Sequence, residues 1–157
     1  MNISDLLAPD AVIAALRVHS KKQLLQELSA RAASQTSLPE RKIFEILNER
    51  ERLGSTGVGQ GIAIPHGRIA EIKTIIGVFA RLETPIDYDA VDKQPVDLVF
   101  MLLAPADAGA DHLKALARVS RLLRNQQAVE KLRAATKAEA LYAILTEPTL
   151  SASSRAA

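Results

Sequence analysis

Five of the chain's seven glycines fall within nineteen residues, Arg50 to Arg68, in the run RERLGSTGVGQGIAIPHGR. Glycine at that density marks backbone that turns sharply or passes close to something, since no Cβ restricts φ or fills space. The fold must therefore carry regular elements on both sides of an irregular, closely packed middle. Upstream, Val12 to Val18 reads as a first strand. Ser20 with Gln23 forms a capping box, followed by Leu24, Leu25 and Leu28 at helical spacing to about Ala33. Ser37 with Glu40 repeats the box with Pro39 in the first turn, and Ile43, Phe44 and Leu47 form the buried stripe of a second helix that Gly54 ends.

Downstream, Thr74–Leu82 (TIIGVFARL) and Val96–Leu103 (VDLVFMLL) are β-branched or aromatic runs bounded by turn residues, and so are predicted strands. Asp111 is expected to cap a third helix whose apolar face is Leu113, Leu116, Ala117, Ser120 and Leu123. Asn125 breaks it before a short helix, and Thr136 with Glu139 opens a last one carrying Leu141, Ile144 and Leu145. Strands alternating with helices imply a sheet covered on both faces: an α/β chain, a three-layer α/β/α sandwich with a central mixed β-sheet, because the middle strands follow one another too closely for purely parallel crossovers. Residues 1–148 read as a single domain, and 149–157, which include SASSRAA, as a disordered tail.

Composition narrows the function. With 157 residues, 48% hydrophobic and 24% charged, the chain has the make-up of a globular domain with a substantial core. A net charge of +2 and 3% aromatics leave neither a basic footprint nor a stacking platform, so no nucleic-acid partner is expected. The absence of cysteine excludes disulfides, thiolate-held metal and thiol catalysis. No stretch approaches the ~20 apolar residues of a membrane span, and the N-terminus lacks the charge pattern of a signal peptide, which points to the cytoplasm without direct membrane insertion. The only histidines, His19, His66 and His112, lie far apart in sequence, so neither a metal nor a cofactor is expected.

Three readings of the glycine run compete. A nucleotide loop requires the lysine and hydroxyl of a Walker motif, which Gly59-Gln60-Gly61-Ile62 lacks, and the glycines follow a helix where the dinucleotide fingerprint opens one. A plain structural turn accounts for the glycines but not for Arg50, Ser55, Thr56, His66 and Arg68 crowding the same segment. The third reading makes His66 a nucleophile, since imidazole is largely unprotonated at neutral pH. Ile62 and Ile64 anchor a strand, Pro65 restrains it, His66 emerges at its end, and Gly67 leaves the far side open.

The run GSTGVGQGIAIPHGR, with Arg50-Glu51 ahead of it, resembles the phosphorylation site of the phosphotransferase-system IIA proteins of the fructose/mannitol class. LETPIDYDAVDKQPVDLVFMLLAPAD, followed by His112-Leu113, is most similar to the free-standing nitrogen-regulatory branch, and the likeness runs from Ile3 to Leu145. The resemblance implies that His66 accepts a phosphoryl group on Nε2 from an HPr-like carrier (NPr type), with phosphoenolpyruvate as ultimate donor. It implies that Arg50 and His112 lie beside the phosphohistidine. A guanidinium offers a rigid fork of donors to the spread charge, and His112 falls in the first turn of a helix, where the dipole favours anions.

Ser55, Thr56 and Arg68 are further candidate phosphate-binding residues, and His19 is read as structural. Lys114, Arg118 and Arg121 form a cationic stripe, either a solvated face or a docking surface for an acidic partner. By resemblance the output is regulatory, in nitrogen, carbon or potassium homeostasis, through targets such as potassium transporters or sensor kinases. The alternatives are a sugar-transport component that passes phosphate to a IIB domain, and a non-catalytic binding module. A dimer is left open.

Overall fold

A computed structural model of the protein describes residues 2–147; the expected tail from 149 lies outside them. The chain opens with a short helix α1 (Ile3–Leu6) and a 3-10 turn, Pro9–Ala11, and then enters β1 (Val12–Leu16). Helix α2 (Lys21–Thr36) starts as its sequence predicts: Ser20 Oγ accepts from the Gln23 N–H at 3.1 Å. The return bond of the box falls one residue earlier than expected, from the His19 N–H to Gln23 Oε1 at 2.7 Å. The second predicted box does not form. Ser37 is left-handed (φ 62°) and closes α2, so Pro39 sits at the cap of α3 (Glu40–Arg52) without a side-chain bond.

The glycine run folds into more regular structure than expected. It forms a hairpin, β2 (Gly57–Gly59) against β3 (Ile62–Ala63), turned by Gln60 and Gly61, both at positive φ (58° and 82°). A break at Ile64-Pro65 separates β3 from β4 (His66–Ile69). Two long strands follow, β5 (Ile76–Ile86) and β6 (Val96–Pro105), antiparallel from Ile76↔Leu103 to Ile86↔Val96. Strand β1 joins β5 in parallel, while β3 and β4 both run parallel to β6 on its other side.

The sheet is therefore mixed, in the order β1-β5-β6-β3-β2, with β4 continuing the line of β3. Six consecutive residues of β6, Leu98 to Leu103, are fully buried, which requires cover on both faces of the sheet. Helices α2 and α3 pack over β5 and β4, α4 (Ala110–Arg124) against β6, and α6 (Ala138–Leu145) against β1, with α5 (Gln126–Ala134) between α4 and α6. This is the three-layer α/β/α sandwich with a central mixed sheet that the alternation predicts.

Two helix starts and one helix face depart from expectation. The chain leaves β6 through a turn that needs Gly109 at φ 58°, so α4 begins at Ala110 and Asp111 lies inside the first turn, not at the cap. Helix α6 is preceded by Lys137 and has no side-chain cap from Thr136. In α4 the buried residues are His112, Ala115, Val119, Leu122 and Leu123; of the expected face Leu123 is buried, Leu116 and Ser120 are half-buried, and Ala117 and Leu113, the latter 66% exposed, face solvent. The helix carries two apolar stripes. The fold buries the one that carries His112 and leaves Leu113 in solvent.

Candidate functional site

His66 begins β4 and is held in the ladder opposite Leu102, with the Leu102 N–H donating to Pro65 O at 2.9 Å. It therefore sits inside a broken strand, not at a strand's free end. Its Nδ1 lies 2.8 Å from Ile64 O. A carbonyl only accepts, so Nδ1 carries the proton and Nε2 keeps its lone pair. Burial lowers the His66 pKa below 6.5; the Ile64 hydrogen bond opposes this, Arg50 adds to it and Glu51 opposes it. The ring is thus a neutral, oriented base at physiological pH.

His112 is 5% exposed, and its ring meets that of His66 edge-on, with centroids 5.6 Å apart. Arg68 Nε donates to His112 Nδ1 at 3.1 Å, which leaves the His112 proton on Nε2. That nitrogen is buried and has no partner. An orphaned buried donor costs free energy unless an acceptor arrives, and here it lies beside the candidate nucleophile. Burial first, then the neighbouring His66 and Arg68, lower the His112 pKa, so it too is a neutral donor.

Arg50, in the last turn of α3, donates through Nη1 to Gly54 O at 2.8 Å, which fixes its guanidinium near His66 with other N–H groups to spare. Arg50, His66, Arg68 and His112 share one open depression of ≈ 450 Å³. The same depression is lined by Ile46, Leu53, Leu113 and Leu116, of which Leu53 is 85% exposed.

The remaining sequence candidates are placed differently. The Thr56 hydroxyl is bonded to Glu51 and its backbone N–H donates to Glu51 Oε1 at 3.0 Å, so Thr56 is not free to hold a phosphate. Ser55 Oγ accepts from the Gly57 N–H at 3.1 Å and acts first in the turn. Arg68 reaches the site through His112. Gly67 does not leave open space: a Cβ there would stand 2.5 Å from Ile46 Cγ2, so it is the point where α3 packs onto β4. His19 is exposed and remote from these residues in every observed bond. Among the described residues no group of three His, Cys, Asp or Glu could hold a metal ion.

Sequence reasoning missed Lys21, Glu51 and Tyr88, which meet beneath the hairpin. The signal was present in α3, where the buried stripe Ile43, Leu47 continues at the same spacing onto Glu51, a charged residue in an apolar position.

The fold brings two facing histidines and two arginines into one depression, and comparison with known proteins gives the family. The model of the phosphoenolpyruvate-dependent sugar phosphotransferase system, EIIA 2, matches residues 5–147, and the chain belongs to that family. Within it the likeness is to nitrogen regulatory proteins. That of Bradyrhizobium diazoefficiens is 58% identical over 94% of this chain and 97% of its own length. The crystal structure of the nitrogen regulatory protein IIA-Ntr from Neisseria meningitidis superimposes with a TM-score of 0.87 at 40% identity, covering 92% of this chain and 99% of that one. Enzyme IIA-mannitol from Escherichia coli, solved in complex with phosphorylated enzyme IIB-mannitol, shares the fold with a TM-score of 0.75 at 16% identity, over 90% of this chain and 99% of that chain.

Proposed function

We propose that the protein accepts a phosphoryl group on Nε2 of His66 from an HPr-like phosphohistidine carrier and acts in the cytoplasm as a phosphorylation-dependent regulator. The observation that carries this is the pairing of an unprotonated Nε2 on His66 with an unpartnered, buried Nε2–H on His112. The first is a nucleophile and the second a waiting donor for anionic oxygen. In the transfer, the His66 Nε2 lone pair forms the new N–P bond as the carrier's N–P bond breaks, and the carrier imidazole leaves with that electron pair. The proton of His66 stays on Nδ1, donated to Ile64 O, throughout. Arg50 and the His112 Nε2–H stabilise the charge spread over the three oxygens in flight, and Arg68 keeps His112 in the tautomer that can do so.

The rim suits a transient partner. Leu53 and Leu113, both solvent-exposed, flank the depression and give a carrier an apolar contact around the transferring group, with Lys114 and Arg121 exposed on the same helix as Leu113. The relatives named as nitrogen regulatory proteins support an output in nitrogen control, and the reading extends it to carbon or potassium homeostasis, through transporters or sensor kinases that read the phosphorylation state. No helix of the described residues is long and apolar enough to cross a membrane.

The test is intact-protein mass after incubation with phosphoenolpyruvate, an enzyme-I-type kinase and an HPr-type carrier. An acid-labile gain of one phosphoryl group in wild type, absent in His66→Ala, is expected. Labelling of that variant, or none in wild type with competent donors, refutes the assignment. Loss of the label on adding a fructose-type IIB domain would mark a transport component and not a regulator.

A further inference from the structure

Among the described residues Glu51 is the only buried carboxylate, and the transfer mechanism makes no use of it. Its Oε1 accepts from the Thr56 N–H at 3.0 Å and from Lys21 Nζ at 2.8 Å, and its Oε2 from the Thr56 hydroxyl and from Tyr88 at 3.1 Å. Tyr88 is fully buried, and burial together with the Glu51 charge pushes its pKa far above the ordinary value, so it remains a proton donor. Lys21 also stands 4.5 Å over the Tyr88 ring. Three separate segments thus converge on one carboxylate: the first turn of α2, the hairpin and the loop after β5.

A buried ion pair of this kind is poor evidence for stability, since well-packed apolar residues serve as well or better. What it supplies is fixed position. Thr56, held by Glu51 through both its N–H and its hydroxyl, presents its own carbonyl to the Ile64 N–H at 3.0 Å. Ile64 in turn presents its carbonyl to His66 Nδ1 at 2.8 Å. The line from carboxylate to imidazole is continuous, residue by residue, and crosses from α3 to β4 through the glycine hairpin.

We propose that Glu51 is a positioning residue for His66, acting through Thr56 and Ile64 to hold the imidazole in the orientation and tautomer that leave Nε2 unprotonated. The proposal rests on the reading of His66 as the phosphoryl acceptor. Catalytic groups need such support, because a reacting atom misplaced by an ångström loses rate steeply. The charged and titratable groups around Glu51 are Lys21 from α2, Arg50 from its own helix, Tyr88 from the loop and His66 itself. The carboxylate favours protonation of His66 and Arg50 opposes it.

Ring-nitrogen NMR on the unphosphorylated protein tests this without any transfer reaction, for wild type, Glu51→Gln and Thr56→Val. Wild type is expected to show His66 as the single Nδ1–H tautomer. Glu51→Gln should give mixed tautomers, a lower His66 titration midpoint, and phosphorylation at saturating carrier slower by about tenfold with the carrier KM little changed. Thr56→Val, which keeps the core volume, should move all three in the same direction by less, and serves alone if Glu51→Gln does not fold. Folded variants with unchanged tautomer, midpoint and rate overturn the proposal. A wild type with the single tautomer that takes no phosphoryl group sinks the transfer reading, while the ring signals still decide the role of Glu51.

Discussion

Gly67→Ala is a sharp test of how the site is assembled. The added Cβ would lie 2.5 Å from Ile46 Cγ2, about 1–1.5 Å inside the ~3.5–4.0 Å separation at which carbon atoms attract. Two responses are open. Ile46 can leave its rotamer, but a β-branched side chain on a helix has essentially one, and displacement costs about 0.5–1.5 kcal/mol. Alternatively α3 retreats from β4, and overpacking of this kind costs about 1–3 kcal/mol. The expected loss of unfolding free energy is therefore about 1–3 kcal/mol, read from urea denaturation with an unchanged m-value.

The second response has a chemical signature, because Arg50 lies one turn beyond Ile46 on α3. Retreat of the helix draws the guanidinium away from His66, and phosphoryl acceptance should slow by about tenfold or more. Ile46→Ala removes the offending methyl, so the double variant should recover about 1 kcal/mol relative to the sum of the single changes. A Gly67→Ala protein of native stability and native transfer rate would falsify the close packing of α3 on β4, and strict additivity with Ile46→Ala would exonerate that particular contact.

Two further outcomes are expected. Burial lowers the folded-state pKa of both His66 and His112 below the unfolded 6.5, so as pH falls the unfolded chain takes up protons first. Stability is then full above about pH 6.5 and declines on acidification until the folded values are passed; urea midpoints between about pH 7.5 and 5 should show this, and show it less in a His66→Gln/His112→Asn variant. Equal slopes in the two proteins contradict it. His112→Asn keeps an oxygen to accept from Arg68 but lacks the ring Nε2–H, and phosphorylation should slow by about tenfold; quenched-flow rates equal to wild type would remove His112 from the transition state.

Much of the fold can be read from local pattern, and the exceptions have physical causes. The VDLVFMLL run announces a strand because it is β-branched and aromatic and bounded by turn residues, and β6 is that strand. Ser20 caps a helix because its partner lies three residues on; Ser37 has the same partner at Glu40 but is spent on ending the preceding helix. The face of α4 cannot be read from the sequence because leucines lie on both sides of it, and which side is buried is set by packing against the sheet and its neighbours. Within the site, Arg50, His66 and His112 stand in recognisable company, whereas Thr56 looks like a phosphate ligand until its buried neighbour is seen. Hydroxyls near a histidine are ambiguous in sequence, since the competing acceptor, Glu51, is defined only by three-dimensional burial.

The seat of His66 in the ladder beside β6 limits how the molecule can signal. With its backbone in the ladder and its ring held at Nδ1 by Ile64 O, the His66 side chain has a fixed orientation, and on the proposed reading a phosphoryl group on Nε2 stays where it is delivered. On the same reading, a protein that senses the phosphoryl group comes to the depression itself, so donor and reader meet the same patch and exclude one another. Traffic at the site is then sequential, and on that reading its memory is a single anion held between visits.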